Sequence, residues 1–270
     1  MSVLRHAMQP RWMGYLVLAM VFALITSLFG LWQWDRRTQA VAEIDRVESN
    51  FDQPAVPYGD LLGPSDSWDD SLRWRSVEVV GEYLEEQSTL VRTRPRVGQV
   101  GFEVLVPFST LDGEILIINR GWVPTGASDD EPDLIPPPPD GVVTVVAKLF
   151  PGEPQIPGRS APDGQVATIH LPTLAEVTGL AVDQRAYLAL VSESPPISPT
   201  PLLIDRPAAD EGPHLSYTFQ WFLFGILGFI AWGYLLREDY RGGRVSSHKR
   251  ATRSDQEEED ELLDNWEKTH

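Results

Sequence analysis

Two stretches carry no formal charge over about twenty-two residues each. One covers residues 13–34 and includes GYLVLAMVFALITSLFGLWQW from Gly14; the other covers residues 214–236. At ~1.5 Å per residue each reaches roughly 30 Å, the thickness of a bilayer's hydrocarbon core, and both are predicted to be transmembrane helices. The first ends in Trp32, Trp34 and Asp35-Arg36-Arg37, not in small residues. Its apolar run also exceeds the ~7–15 residues of a signal-peptide core, so it reads as a retained anchor.

Between the spans the period changes. Thr38–Phe51 continues as a helix with polar sides, and short strand-like runs follow at Arg73–Leu84, Ser88–Pro95, Gly101–Phe108 and Glu114–Pro124. Val77, Val79 and Gly81 alternate with Glu78, Val80 and Glu82, the pattern of a half-buried strand. Asp112-Gly113 between two such runs predicts a hairpin. An acidic, proline-rich loop (ASDDEPDLIPPPPDG) precedes a strand at Val142–Phe150. Leu171–Gly179 reads as a short helix with Thr173 as N-cap and Gly179 as stop. QRAYLALVSESP and PLLIDRP are the last predicted strands.

The fold class that follows is an α+β membrane protein: two transmembrane helices flanking a mostly antiparallel β domain with a short helix, for which barrel-like closure is one arrangement. Its segments are a cytoplasmic arm (residues 1–12), a span (13–34), an extracytoplasmic β-rich domain (35–213), a second span (214–236) and a basic, then acidic, unordered tail (237–270). Orientation rests on Arg5 and Arg11 at one end and Arg237, Arg241, Arg244, Lys249, Arg250 and Arg253 at the other, which put both termini in the cytoplasm. Arg36 and Arg37 oppose this, but long domains translocate largely regardless of charge.

Composition narrows the chemistry. Residues 35–213 hold 13 basic and 29 acidic side chains, a surface that repels nucleic acid. With no cysteine there is no disulfide, thiolate metal site or thiol nucleophile. All four methionines lie within the first twenty residues, so the body of the protein lacks ligands for copper delivery. No nucleophile elbow, zinc-binding His-Glu-x-x-His or phosphate loop is present, and the chain is not expected to be an enzyme.

Two constellations remain. In INRGWVP (Ile118–Pro124), Gly121 allows a bulge or positive φ, and Pro124 ends strand pairing. Arg120 there is either half of a structural pair with an acidic neighbour, which the physics favours, or a contact for an acidic ligand group. At the second span, His214, Tyr217, Trp221, Gly225 and Gly228 fall on one helical stripe. His214 reads as an ordinary interfacial histidine with an aromatic belt, or as a nitrogen ligand to a metal.

These residues together resemble the Surfeit-locus family of cytochrome c oxidase assembly factors, in their bacterial form. GLWQWDRR (Gly30–Arg37) is similar to that family's G-x-W-Q-x-x-R signature, NRGWVP is its most recognisable stretch, and HLSYTFQWF (His214–Phe222) resembles the start of its second span. The lysine that often follows the first signature is absent, with Gln39 and Ala40 in that region. The resemblance implies a non-catalytic plasma-membrane protein that assists haem a delivery or insertion into an aa3-type oxidase. It carries the haem-iron axial position to His214 and the porphyrin neighbours to Tyr217 and Trp221. Arg120, Arg36 or Arg37 would meet the propionates. Partners would be oxidase subunits and lipid. A rival reading keeps the chain as an accessory subunit of the finished oxidase or of a respiratory supercomplex.

Overall fold

The computed structural model describes residues 3–127 and 131–267, with side chains as far as residue 242. In chain order the elements are α1 (Val3–Ala7), α2 (Pro10–Asn50), β1 (Val56–Pro57), α3 (Tyr58–Leu61), β2 (Ser76–Tyr83), β3 (Thr89–Arg96) and β4 (Gln99–Thr110). There follow β5 (Ile115–Pro124), β6 (Val143–Phe150), β7 (Gln165–Val166), α4 (Leu171–Thr178), β8 (Tyr187–Ser194) and α5 (His214–Glu267). They form two units: a helical one up to Val41 and from Glu211, and a β domain from Ala42 to Asp210.

In the helical unit, α2 and α5 are both long and apolar enough to cross a membrane. Leu24 and Leu28 on α2, with Phe219, Ile226 and Ile230 on α5, are each more than half exposed, a face that water penalises and hydrocarbon does not. The helices run antiparallel and meet through small residues. A Cβ on Gly225 would lie 2.9 Å from Thr26 Oγ1, and one on Gly228 would lie 3.0 Å from the Phe22 ring. Gly225 and Gly228 are therefore occupied by the facing helix, one of the two partners their size allows. Beyond Leu236, where an unordered tail was expected, α5 continues helical to Glu267; no proline follows Pro213 to interrupt its backbone ladder.

The β domain closes on itself. Strands run β2-β6-β8-β5-β4, and β4 pairs back to β2 through Gly81↔Thr110, Glu82↔Ser109 and Tyr83↔Phe108. Of the ring's pairings only β5 with β8 is parallel. β3 and β7 extend the sheet beyond β4, and β1 adds in parallel to β2. Closure needs Gly81, because a Cβ there would overlap the Ser109 carbonyl. Alternation then sorts the core: Leu116 and Ile118 of β5 join Val77, Val145 and Leu188 in one cluster, while Ile117 packs with Leu105, Leu171 and Leu174 in another.

The expected strands at β2 to β6 and β8 and the Asp112-Gly113 hairpin are present. Pro201–Pro207 is not a strand; it contributes a single bridge, Trp122↔Leu202, because prolines flank it and supply no donors. The cap of α4 also differs from expectation. His170, not Thr173, is the N-cap, its Nδ1 accepting from the Thr173 amide at 3.3 Å, while Gly179 closes the helix at φ 69° as predicted.

Candidate functional site

The helical unit carries the site that the sequence singles out. Pro213 precedes α5, and His214 is its first residue, half-buried. Its Nδ1 lies 2.9 Å from Oε1 of Gln33 on α2. An amide oxygen only accepts, so Nδ1 is the donor, and in the neutral ring the lone pair then falls on Nε2. Gly212, at φ 66°, sits beside that second nitrogen: a Cβ there would lie 3.3 Å from Nε2 and Cδ2 and crowd the open edge. An imidazole oriented through one nitrogen can offer the other to an iron or similar cation when that nitrogen is unprotonated. Among the described residues no group of three or more histidine, aspartate and glutamate side chains is placed to hold a metal ion.

The aromatic neighbours take distinct places. Trp221 stacks on Phe29 at 4.9 Å and 26°, with Phe224 edge-on at 5.9 Å, so one wall is already built from both helices. Tyr217 is 44% exposed and points outward. Gly30 admits the Phe222 ring, which would stand 3.0 Å from a Cβ. Thr218, four residues after His214, is buried and donates to the His214 carbonyl at 2.9 Å, tightening the first turn of α5. Arg37 holds the carboxylate of Glu211 at 2.8 Å, and Arg36 bonds Gln39 at 3.3 Å. Neither the sequence period nor the family pattern alone assigned Gln33 a role. The clue was its place as an uncharged amide at the end of an apolar span, which needs a partner there.

Arg120 lies in the other unit and is fully buried. A bulge between Val104↔Gly121 and Leu105↔Asn119 leaves it as the extra residue of β5, with Gly121 at φ 126°. Its guanidinium donates to the Pro136 carbonyl at 2.7 Å and to Glu193 at 3.0 Å, and stands 5.4 Å from the Tyr83 ring. Tyr83 in turn donates to Glu193 at 2.8 Å, and burial pushes its hydroxyl pKa up. This is the acidic-neighbour arrangement at a strand exit; the guanidinium offers no exposed face. Trp122 likewise turns inward, its indole donating to the Arg94 carbonyl at 2.7 Å.

A second polar cluster lines a cavity of about 370 Å³ in the β domain. Arg94 bridges Glu103 at 3.0 Å and Glu153 at 2.6 Å, with Asn119 and Tyr187 beside it. Burial raises the pKa of Glu103 despite the neighbouring guanidinium. Arg94 thus pairs directly with one carboxylate on the cavity wall and one behind it, as in a structural ion triad.

Comparison with known proteins follows the same residues. The model of the SURF1 family matches residues 20–226, a stretch that holds Gln33, Arg36, Arg120, His214, Tyr217 and Trp221. The chain is 31% identical over 249 residues to an uncharacterised SURF1-like protein of Mycobacterium tuberculosis, covering 90% of each. It is 25% identical over 213 residues to a SURF1-like protein of Rickettsia bellii, covering 74% of this chain and 81% of the relative. It is also 27% identical over 113 residues to the cytochrome oxidase assembly protein SHY1 of Saccharomyces cerevisiae, covering 40% of this chain and 28% of that one.

Proposed function

The chain belongs to the SURF1 family, and from that premise we propose that it serves the assembly of an aa3-type cytochrome c oxidase by holding haem a for the catalytic subunit. The yeast relative, an oxidase assembly protein by name, supports the assembly role. The bond between Gln33 and His214 engages Nδ1 and leaves Nε2 as the nitrogen for an iron to take, and this supports the haem reading.

The cargo brings an iron that accepts an axial nitrogen and a flat apolar ring. His214 offers the nitrogen at the end of a span, where an imidazole is cheap to place. Trp221, braced by Phe29, and exposed Tyr217 offer aromatic surface. Arg37 already holds one carboxylate, that of Glu211, in the contact a propionate needs, and Arg36 lies beside it in sequence. Arg120 is left out, because its guanidinium is fully buried beside Glu193 and out of reach of a ligand. A single protein ligand suits a carrier that must release what it holds, and nothing in this role calls for catalysis. The two helices would cross the plasma membrane with both ends cytoplasmic and residues 35–213 outside.

The test is purification of the tagged full chain in mild detergent from cells that make haem a, read for visible absorbance and for oxidase subunits. The expected result is a near-stoichiometric haem a spectrum that disappears in His214→Ala. A colourless protein bound to intact oxidase would make it an accessory subunit instead. A colourless protein without oxidase would overturn the assembly role as well.

A further inference from the structure

Toward the end of the helical unit remote from His214, α2 and α5 part around a groove of about 380 Å³. Ala19, Ala231 and Leu235 line it together with the rings of Trp12, Tyr15 and Trp232. The walls are pinned. Trp12 is only 3% exposed; its indole donates to Asp239 at 3.2 Å, and its carbonyl accepts from the Trp232 indole at 3.1 Å. Tyr15 meets the Trp12 ring edge-on at 5.5 Å. Rings held in this way keep the space between them from collapsing.

A cation stands against the groove's aromatic wall. The Arg11 guanidinium lies 5.5 Å from the Trp12 ring and 5.7 Å from the Tyr15 ring, two residues before the uncharged run begins at Met13. That is headgroup depth for a helix whose apolar part fills the hydrocarbon. The nearby acid, Asp239, bonds His6 Nε2 at 2.9 Å and the Trp12 indole, so the charge it lends to Arg11 is shared among three groups. An almost wholly apolar channel ending in one cation over aromatic rings matches a single amphiphile with one negative head. A soluble anion would not use the channel, and a helix from another protein would not need the cation.

We propose that this groove is a binding site for an anionic phospholipid, with an acyl chain along Ala19, Ala231 and Leu235 and the phosphate on Arg11. The site rests on the reading above that both helices cross a bilayer. It gives the carrier a fixed lipid at the end opposite its histidine, anchoring α2 and α5 against sliding.

The full chain is reconstituted in vesicles of equal phosphatidylglycerol and phosphatidylcholine, re-extracted in mild detergent, and its retained lipid is measured by mass spectrometry. The wild type is expected to retain phosphatidylglycerol over phosphatidylcholine by about five-fold, the ratio one arginine near the surface supplies. Arg11→Gln should bring that ratio to about one with helicity unchanged by circular dichroism. Ala231→Leu, which fills the groove from its open side, should lower the total lipid retained. An even ratio in the wild type, or an unchanged ratio in Arg11→Gln, overturns the lipid site while leaving the membrane reading intact. A chain recovered from cells without detergent overturns both.

Discussion

The side-chain oxygen of Gln33 accepts a hydrogen bond from Nδ1 of His214 at 2.9 Å, joining two helices across 181 positions of sequence. In the neutral ring this bond favours the tautomer protonated on Nδ1, whose Nε2 can ligate. Gln33→Ala removes the acceptor and lets the imidazole turn and re-tautomerise, so haem a retention should fall about ten- to a hundred-fold, the usual cost of losing a ligand's orienting partner. Gln33→Glu keeps an acceptor oxygen and should retain most of the pigment. Titration of apo-protein with haem a, followed by absorbance, distinguishes them. Equal retention in Gln33→Ala and wild type would remove the orienting role.

Arg120 and Glu193 form a buried pair, their side chains 0% and 4% exposed. Arg120→Met strands the Glu193 carboxylate with only the Tyr83 hydroxyl, and should cost about 3–5 kcal/mol. In a domain of this size that lowers Tm by roughly 10 °C. Arg120→Met combined with Glu193→Gln should recover a large part of the loss, because the stranded charge is gone. Haem retention per folded molecule should be unchanged in both. Weaker haem binding at unchanged Tm would restore the arginine as a ligand contact.

Much of this architecture was legible because its signals are local. Charge-free runs of span length, the Asp112-Gly113 turn and the alternation in β2 each need only a few neighbouring residues to be read. What escaped depends on distant partners. Ring closure rests on Gly81 meeting Ser109, and nothing near Gly81 in sequence announces that approach. β1 and β7 are two-residue strands defined by their neighbours and carry no period of their own. At the site, His214, Tyr217 and Trp221 were visible as a helical stripe, but the stripe could not say which of them faces α2. Thr218 and Trp221 do, while Tyr217 does not. Likewise Gln33 stood in a signature without a function until its partner across the helix pair was located.

Gly81 offers a direct test of closure. Gly81→Val places a branched side chain where the Ser109 carbonyl lies, and the β2–β4 seam must part to admit it. Amide hydrogen exchange should then speed up at Ser109, Thr110 and Tyr83, while the β6–β8 amides keep their protection. Uniform loss of protection would mean that the seam unfolds only with the whole domain.

The last prediction concerns acid. Asp183 is mostly buried, which by itself would raise its pKa, yet hydrogen bonds from Arg185 and from the Tyr58 hydroxyl at 2.7 Å outweigh burial and hold it below its ordinary 3.8. Unfolding releases the carboxyl to that ordinary value. Between the two values the unfolded chain binds more protons than the folded one, so the contribution is complete above the ordinary value and lost as pH falls through the folded one. Asp183→Asn removes the titrating group. It should lower stability near neutral pH by about 1–3 kcal/mol, the worth of charged hydrogen bonds. It should also flatten the fall in stability below about pH 4. Denaturant unfolding of both proteins across an acid series measures the two slopes, and parallel slopes would mean that Asp183 keeps an ordinary pKa in the fold.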